Sequence, residues 1–156
     1  MSQIASLLPT GNILLDLDAG SKARLFEAVG ALFETSQGLS KKVVVDSLQA
    51  REKLGSTGLG HGIAIPHGKI PTLTRVYGLF ARLASPVEFD AVDNEPVDLV
   101  FLLLAPEHAG ADHLKALARI SRLLRDHEVV AKLRGTDTAE GLFAILTEPA
   151  ATPHAA

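Results

Sequence analysis

The sequence predicts a three-layer α/β fold, a single domain with a mixed β-sheet flanked by helices, on three observations. Helical and strand-like patterns alternate along the chain with no internal repeat and no linker between them. Residues Val97 to Leu104 (VDLVFLLL) are apolar without alternation, as a strand buried on both faces requires. The 156 residues are 47% hydrophobic and 21% charged, enough apolar surface for one self-sufficient core. Residues 1–148 are assigned to that domain. Residues 149–156 are read as a flexible C-terminal tail, because periodicity is lost from EPAATPHAA onward.

Each element has a local signal. After a mixed start, Asn12 to Leu17 is a short extended segment, and Asp18 or Ser21 offers an N-cap to a helix closed by Gly38, in which Leu25, Phe26, Val29, Leu32 and Phe33 recur at helical spacing. Ser40 caps a second helix reaching Leu54, with Val44, Leu48 and Leu54 on or near one face and Gly55 ending the pattern, so Arg51 and Glu52 fall in its last turns. Val76–Leu83 and Val97–Leu104 read as strands, joined by a turn-containing connection over 86–96. Asp112-His113 opens a third helix with Leu114, Leu117, Ile120, Leu123 and Leu124 as its apolar positions, and residues 127–135 and 136–148 supply two shorter helices.

Composition removes several function classes. With no cysteine, disulfides, thiolate zinc sites, iron–sulfur clusters and a Cys nucleophile are excluded. Fifteen Lys and Arg against 18 Asp and Glu give a formal charge of −3, and one Tyr with no Trp leaves no aromatic stacking platform, so nucleic acid is not an expected partner. No basic start with a long apolar run opens the chain and no stretch has the length of a membrane span, so no membrane insertion and a cytoplasmic location are expected.

The chemistry concentrates in residues 55–68, GSTGLGHGIAIPHG, which hold five of the chain's 13 glycines, interleaved with Ser56, Thr57, His61 and His67. Glycines permit close approach to a ligand, and successive N–H groups in such a stretch can cradle an anion such as phosphate. Composition alone equally allows a tightly turned connection with no ligand. GLGHG lacks the dinucleotide spacing, and GIAIPHGK is one residue too long for a P-loop, with Ile70 where Ser or Thr would hold magnesium. Pro66 restricts Ile65 to extended backbone, so His67 is presented at a stiff strand-to-turn junction before permissive Gly68. A rigid neutral imidazole is a candidate nucleophile toward phosphorus.

Arg51-Glu52, GSTGLGHGIAIPHGK, FDAVDNEPVDLVFLLLAPE and His113-Leu114 together resemble the fructose/mannitol-type enzyme IIA domain of the bacterial phosphoenolpyruvate phosphotransferase system, over about residues 3–147. The opening segment and the absence of attached transport domains are most similar to the stand-alone, nitrogen-related enzyme IIA. The resemblance implies that His67 is phosphorylated, that Arg51 lines its pocket and that His113 faces it. His61 stands where many relatives carry Asn. Partners implied are an HPr-type phosphocarrier, or its nitrogen-related paralogue, and regulatory proteins that read the phosphorylation state. No cofactor and no metal are implied, since an arginine, a second imidazole and backbone N–H groups can meet phosphoryl charge.

Ser56 and Thr57 either hydrogen-bond the phosphoryl group or cap turns, with Gly68 beside them as a further phosphoryl-binding candidate. His61, His108, His127 and His154 are read as surface residues, and Leu59, Ile63 and Ile65 as the apolar rim of the pocket. A sugar-transport enzyme IIA, a non-catalytic interaction module and a His/carboxylate metal protein are the competing readings. The histidine spacings of the last form no recognised helical ligand pair.

Overall fold

A computed structural model of the chain describes residues 4–108 and 110–147, so the expected tail and His154 lie outside the described residues. Short 3-10 turns at Ala5–Leu7 and Thr10–Asn12 lead into β1 (Ile13–Leu17), followed by α1 (Lys22–Gln37) and α2 (Lys41–Lys53). Three short strands come next, β2 (Gly58–Gly60), β3 (Ile63–Ala64) and β4 (His67–Ile70). The long strands β5 (Tyr77–Val87) and β6 (Val97–Pro106) precede α3 (Ala111–Leu124), α4 (His127–Gly135) and α5 (Ala139–Thr147).

The sheet is mixed, in the order β1-β5-β6-β3-β2, with β4 also on β6. β1 runs parallel to β5, and β5 pairs antiparallel with β6. The other edge of β6 is shared end to end: β3 pairs in parallel opposite Leu99 and Val100, and β4 opposite Leu103 to Pro106. Strand period two then separates two cores. Val100, Leu102 and Leu104 face α1 and α2 with Leu25, Phe26, Val29, Phe33, Val44 and Leu48. Leu99, Phe101 and Leu103 face the other helical layer, packing with Ile120, Leu124, Leu133, Leu142 and Leu146. Full burial of each Leu or Phe contributes about 1.5–3 kcal/mol, so β6 anchors both layers.

The helix ends follow the capping residues. The Ser21 hydroxyl accepts from Arg24 N at 3.1 Å, deciding the N-cap in its favour over Asp18, and Ser40 accepts from Val43 N at 3.3 Å. Asp126 accepts from Glu128 N at 2.9 Å to start α4. α5 begins later than expected, at Ala139, where Thr138 accepts from Gly141 N at 3.0 Å.

Four expectations are corrected. Leu54 is not on the buried face of α2; it caps the C-terminus at 84% exposure, and Val44, Val45 and Leu48 form the face. Leu114 is likewise 66% exposed, because His113, Ala116, Ile120 and Leu124 take the core positions of α3. β5 continues past Leu83 to Val87, through the exposed residues Ala84 to Pro86, whose composition conceals the strand, to the Val87–Val97 pair. Ile63 and Ile65 are buried in the second core and form no exposed rim, since pairing to β6 turns them under α3 to α5.

Candidate functional site

The glycine-rich stretch is largely β-structure. β2 and β3 form a hairpin whose turn, Gly60-His61-Gly62, has φ of 95°, 57° and 81°. His61 therefore occupies the left-handed region, which Asn and His tolerate better than most side chains. The turn is clasped by Asp93, which accepts from His61 N at 2.9 Å, and by Arg134, which donates to His61 O at 2.7 Å while ion-paired to Asp98. His61, His108 and His127 are exposed, as expected.

Pro66 lacks an N–H and separates β3 from β4, yet its carbonyl accepts from Leu103 N at 3.0 Å, so the chain never leaves β6. His67 is the first residue of β4, in register with Leu103, and not at a strand-to-turn junction. Gly68 lies inside that strand. A Cβ there would overlap Ser47 of α2, and the Ser47 hydroxyl donates to Lys69 O at 3.0 Å, so this glycine lets helix and strand approach.

The His67 ring is fixed from both ends. Its Nδ1 lies 2.9 Å from Ile65 O; a carbonyl only accepts, so Nδ1 carries the proton and Nε2 holds the lone pair. Arg51 donates from Nε to that Nε2 at 3.2 Å and from Nη1 to Gly55 O at 2.9 Å. His113, in the first turn of α3, places its ring 5.6 Å from that of His67, tilted by 49°. It is 7% exposed, and its Nδ1 is buried with no hydrogen-bond partner among the described residues.

Burial is the main reason that both imidazoles titrate below the ordinary histidine value. For His67 the Arg51 charge adds to the lowering, while the Ile65 carbonyl and the Glu52 carboxylate oppose it. For His113 the neighbouring His67 and Lys69 act in the same direction as burial. Both rings are neutral at pH 7.

Around this core the hydroxyl candidates are engaged within the protein. Ser56 donates to Phe89 O and accepts from Gly58 N at 3.1 Å. Thr57, 6% exposed, donates its hydroxyl to Glu52 Oε1 at 2.7 Å and its N–H to Glu52 Oε2 at 3.0 Å. Glu52 also holds Lys22, at 2.9 Å, and the Lys22 ammonium donates to Phe89 O at 3.1 Å. The structure thus brings Arg51, His67 and His113 together, with Ser56, Thr57 and Gly68 in the frame around them. Sequence reasoning quoted Glu52 within the motif without giving it a role, and it missed Lys22. A carboxylate five residues before a threonine whose N–H needs an acceptor was a usable signal for Glu52; Lys22 lies 30 residues away and gave none.

These causes fix signs for a histidine titration by NMR. The His67 midpoint is expected below 6.5, the ordinary value. Arg51→Gln should raise it and Glu52→Gln should lower it further; shifts of opposite sign would break the electrostatic account. Because the folded chain binds these protons less readily than the unfolded one, the two rings should cost stability as the pH falls below 6.5 and on through their folded midpoints.

The mixed three-layer sheet and this histidine–arginine pocket define the class: the chain belongs to the family described as the phosphoenolpyruvate-dependent sugar phosphotransferase system EIIA 2, whose profile matches residues 6–148. Among its relatives, the nitrogen regulatory protein of Bradyrhizobium diazoefficiens is 49% identical over 149 residues, 96% of this chain and 97% of that one. The nitrogen regulatory protein of Escherichia coli is 42% identical over 87% of this chain and 84% of its own length. The crystal structure of nitrogen regulatory protein IIA-Ntr from Neisseria meningitidis superposes with a TM-score of 0.89 at 45% identity, covering 94% of this chain and all of that one. Escherichia coli IIA mannitol shares the fold, with a TM-score of 0.74 at 23% identity over 88% of this chain and 97% of its own. No helix among the described residues is long and apolar enough to cross a membrane.

Proposed function

We propose that this chain is a cytoplasmic regulatory phosphocarrier that accepts a phosphoryl group on Nε2 of His67 from an HPr-type carrier and signals through its phosphorylation state. The observation that carries the reading is the Nδ1–H bond to Ile65 O, which leaves the Nε2 lone pair under Arg51. In the transfer, the Nε2 lone pair forms the bond to phosphorus as the donor's P–N bond breaks and its electron pair returns to the donor imidazole. Positive charge then develops on the His67 ring, where the Ile65 carbonyl and the Glu52 carboxylate favour it. Arg51 exchanges its bond to Nε2 for the equatorial phosphoryl oxygens, matching their charge with a planar donor fork. The regulatory end use is supported by the names of the relatives at 49% and 42% identity.

Incubation with phosphoenolpyruvate, enzyme I and the carrier, read by intact mass, tests the proposal: one addition of about 80 Da is expected, labile in acid. No addition defeats it. Onward transfer to a fructose- or mannitol-type permease would reassign the end use to sugar transport.

His113 assists without being modified in this reading. His113→Ala should still take the label from the donor, while the rate of onward transfer or of hydrolysis of the phosphohistidine changes measurably. Complete loss of labelling would make His113 obligatory, and wild-type rates in both half-reactions would leave it a packing residue.

A further inference from the structure

Beyond Asp112 in its first turn, the face of α3 opposite its core positions carries only positive charge. Lys115, Arg119 and Arg122 lie at i, i+4 and i+7, all exposed, and Arg125 follows at the C-cap. None of the four has an ion pair among the described residues, whereas Lys22, Lys41, Lys42, Arg82 and Arg134 all do. Six of the chain's 15 Lys and Arg residues fall within 115–134, against two acids, Asp126 and Glu128, although the whole chain carries −3. Like charges one turn apart disfavour a helix by themselves. A groove of about 810 Å³ runs beside this face, with Lys115 and Arg119 among its lining and Arg75 contributed by the 71–76 segment; its acids are Glu107 and Asp112.

We propose that the Lys115–Arg119–Arg122 face of α3 is a docking surface for an acidic protein segment, with carboxylates spaced to meet one basic residue per turn. Charge complementarity selects the occupant. Leu114 is the one large apolar side chain exposed along the helix, and no aromatic residue lies on it, so the face lacks the apolar wedge with which an interfacial helix enters lipid. The position also couples the face to the site. The first turn of α3 carries His113 on its buried side, with its ring 5.6 Å from that of His67, so the N-terminal end of the charged face lies about one helix diameter from the proposed phosphoryl acceptor. This coupling rests on the phosphocarrier reading: a phosphoryl group adds about −1.5 to −2 charges there and repels an acidic occupant. The segment binds the unmodified chain and leaves the phosphorylated one.

The probe is a fluorescein-labelled synthetic helix with Glu at i, i+4 and i+7, titrated by anisotropy at low and physiological salt. Binding to the full chain should weaken at least about tenfold in Lys115→Glu/Arg119→Glu/Arg122→Glu, and by about 3- to 10-fold on phosphorylation. Lys41→Glu/Lys42→Glu, on α2, should stay within about twofold of wild type, and amide shifts induced by the probe should fall within 111–125. An amide spectrum unchanged away from α3 establishes that the triple variant is folded. Equal affinity of wild type and triple variant overturns the proposal, as does binding to phosphatidylglycerol vesicles but not to the peptide. A loss of donor-dependent labelling in the triple variant parallel to the loss of peptide binding also overturns it, by giving the face to the phosphoryl donor. Peptide binding that depends on the three residues in a chain that takes no phosphoryl group keeps the docking surface and defeats the phosphocarrier reading alone.

Discussion

His67→Ala is expected to abolish the gain of about 80 Da that the proposed function predicts for the wild-type chain with phosphoenolpyruvate, enzyme I and the carrier, with no residual labelling elsewhere. Among the described histidines His67 alone combines a proton fixed on Nδ1 by a carbonyl, a free Nε2 lone pair and a guanidinium donating to it. His113 is neutral and adjacent, but it is 7% exposed, against the half-buried His67 at the start of β4. The alanine variant should fold, since β4 keeps its backbone pairing to β6 and loses only an imidazole at the edge of the pocket. Normal incorporation by His67→Ala would overturn the assignment outright.

Arg51→Lys should slow phosphoryl acceptance by about 10- to 1000-fold while leaving the fold intact. The guanidinium makes two bonds in different directions, Nε to His67 and Nη1 to Gly55 O, and the second anchors the first. An ammonium keeps the charge and cannot make both contacts, so the variant separates the field of the cation from its geometry. Because the charge is retained, the His67 titration midpoint should move less in Arg51→Lys than in Arg51→Gln. Single-turnover transfer with a matched amide spectrum measures both effects. An unchanged rate would reduce Arg51 to a cation at the C-terminal end of a helix.

Much of this arrangement was legible because it rests on short-range rules. Ser21, Ser40 and Gly38 mark helix ends by local capping chemistry, and the uninterrupted apolar run of β6 announces a strand covered on both sides. Arg51, His67 and His113 were singled out together through a motif resemblance, and the structure brings their side chains to one place. Long-range pairing was hidden. Nothing local in GLGHGIAIPHGK states that its two extended pieces add end to end to a strand 30 or more residues downstream, so the sequence shows the extended run before Pro66 but neither its pairing nor β2 and β4. The same omission put Ile63 and Ile65 on a rim when register places them in a core. Leu54 and Leu114 misled for another reason. Each is apolar and near helical phase, but Arg51 and His113 stand where the last and first turns approach the pocket, and the leucines beside them face outward.

The three pocket side chains come from three different layers. His67 stands on the sheet, Arg51 arrives from the α1–α2 layer and His113 from the layer of α3 to α5. Each helical layer has its own apolar core, one on either face of the sheet. A chain with one layer docked would retain a nucleophile but lack either the cation or the second imidazole. On the phosphocarrier reading, acceptance at full rate would therefore act as a checksum on folding: copies with one side unformed would transfer slowly and contribute little to the signal. The phosphorylated fraction would then measure how many molecules are completely assembled, as well as the supply of donor.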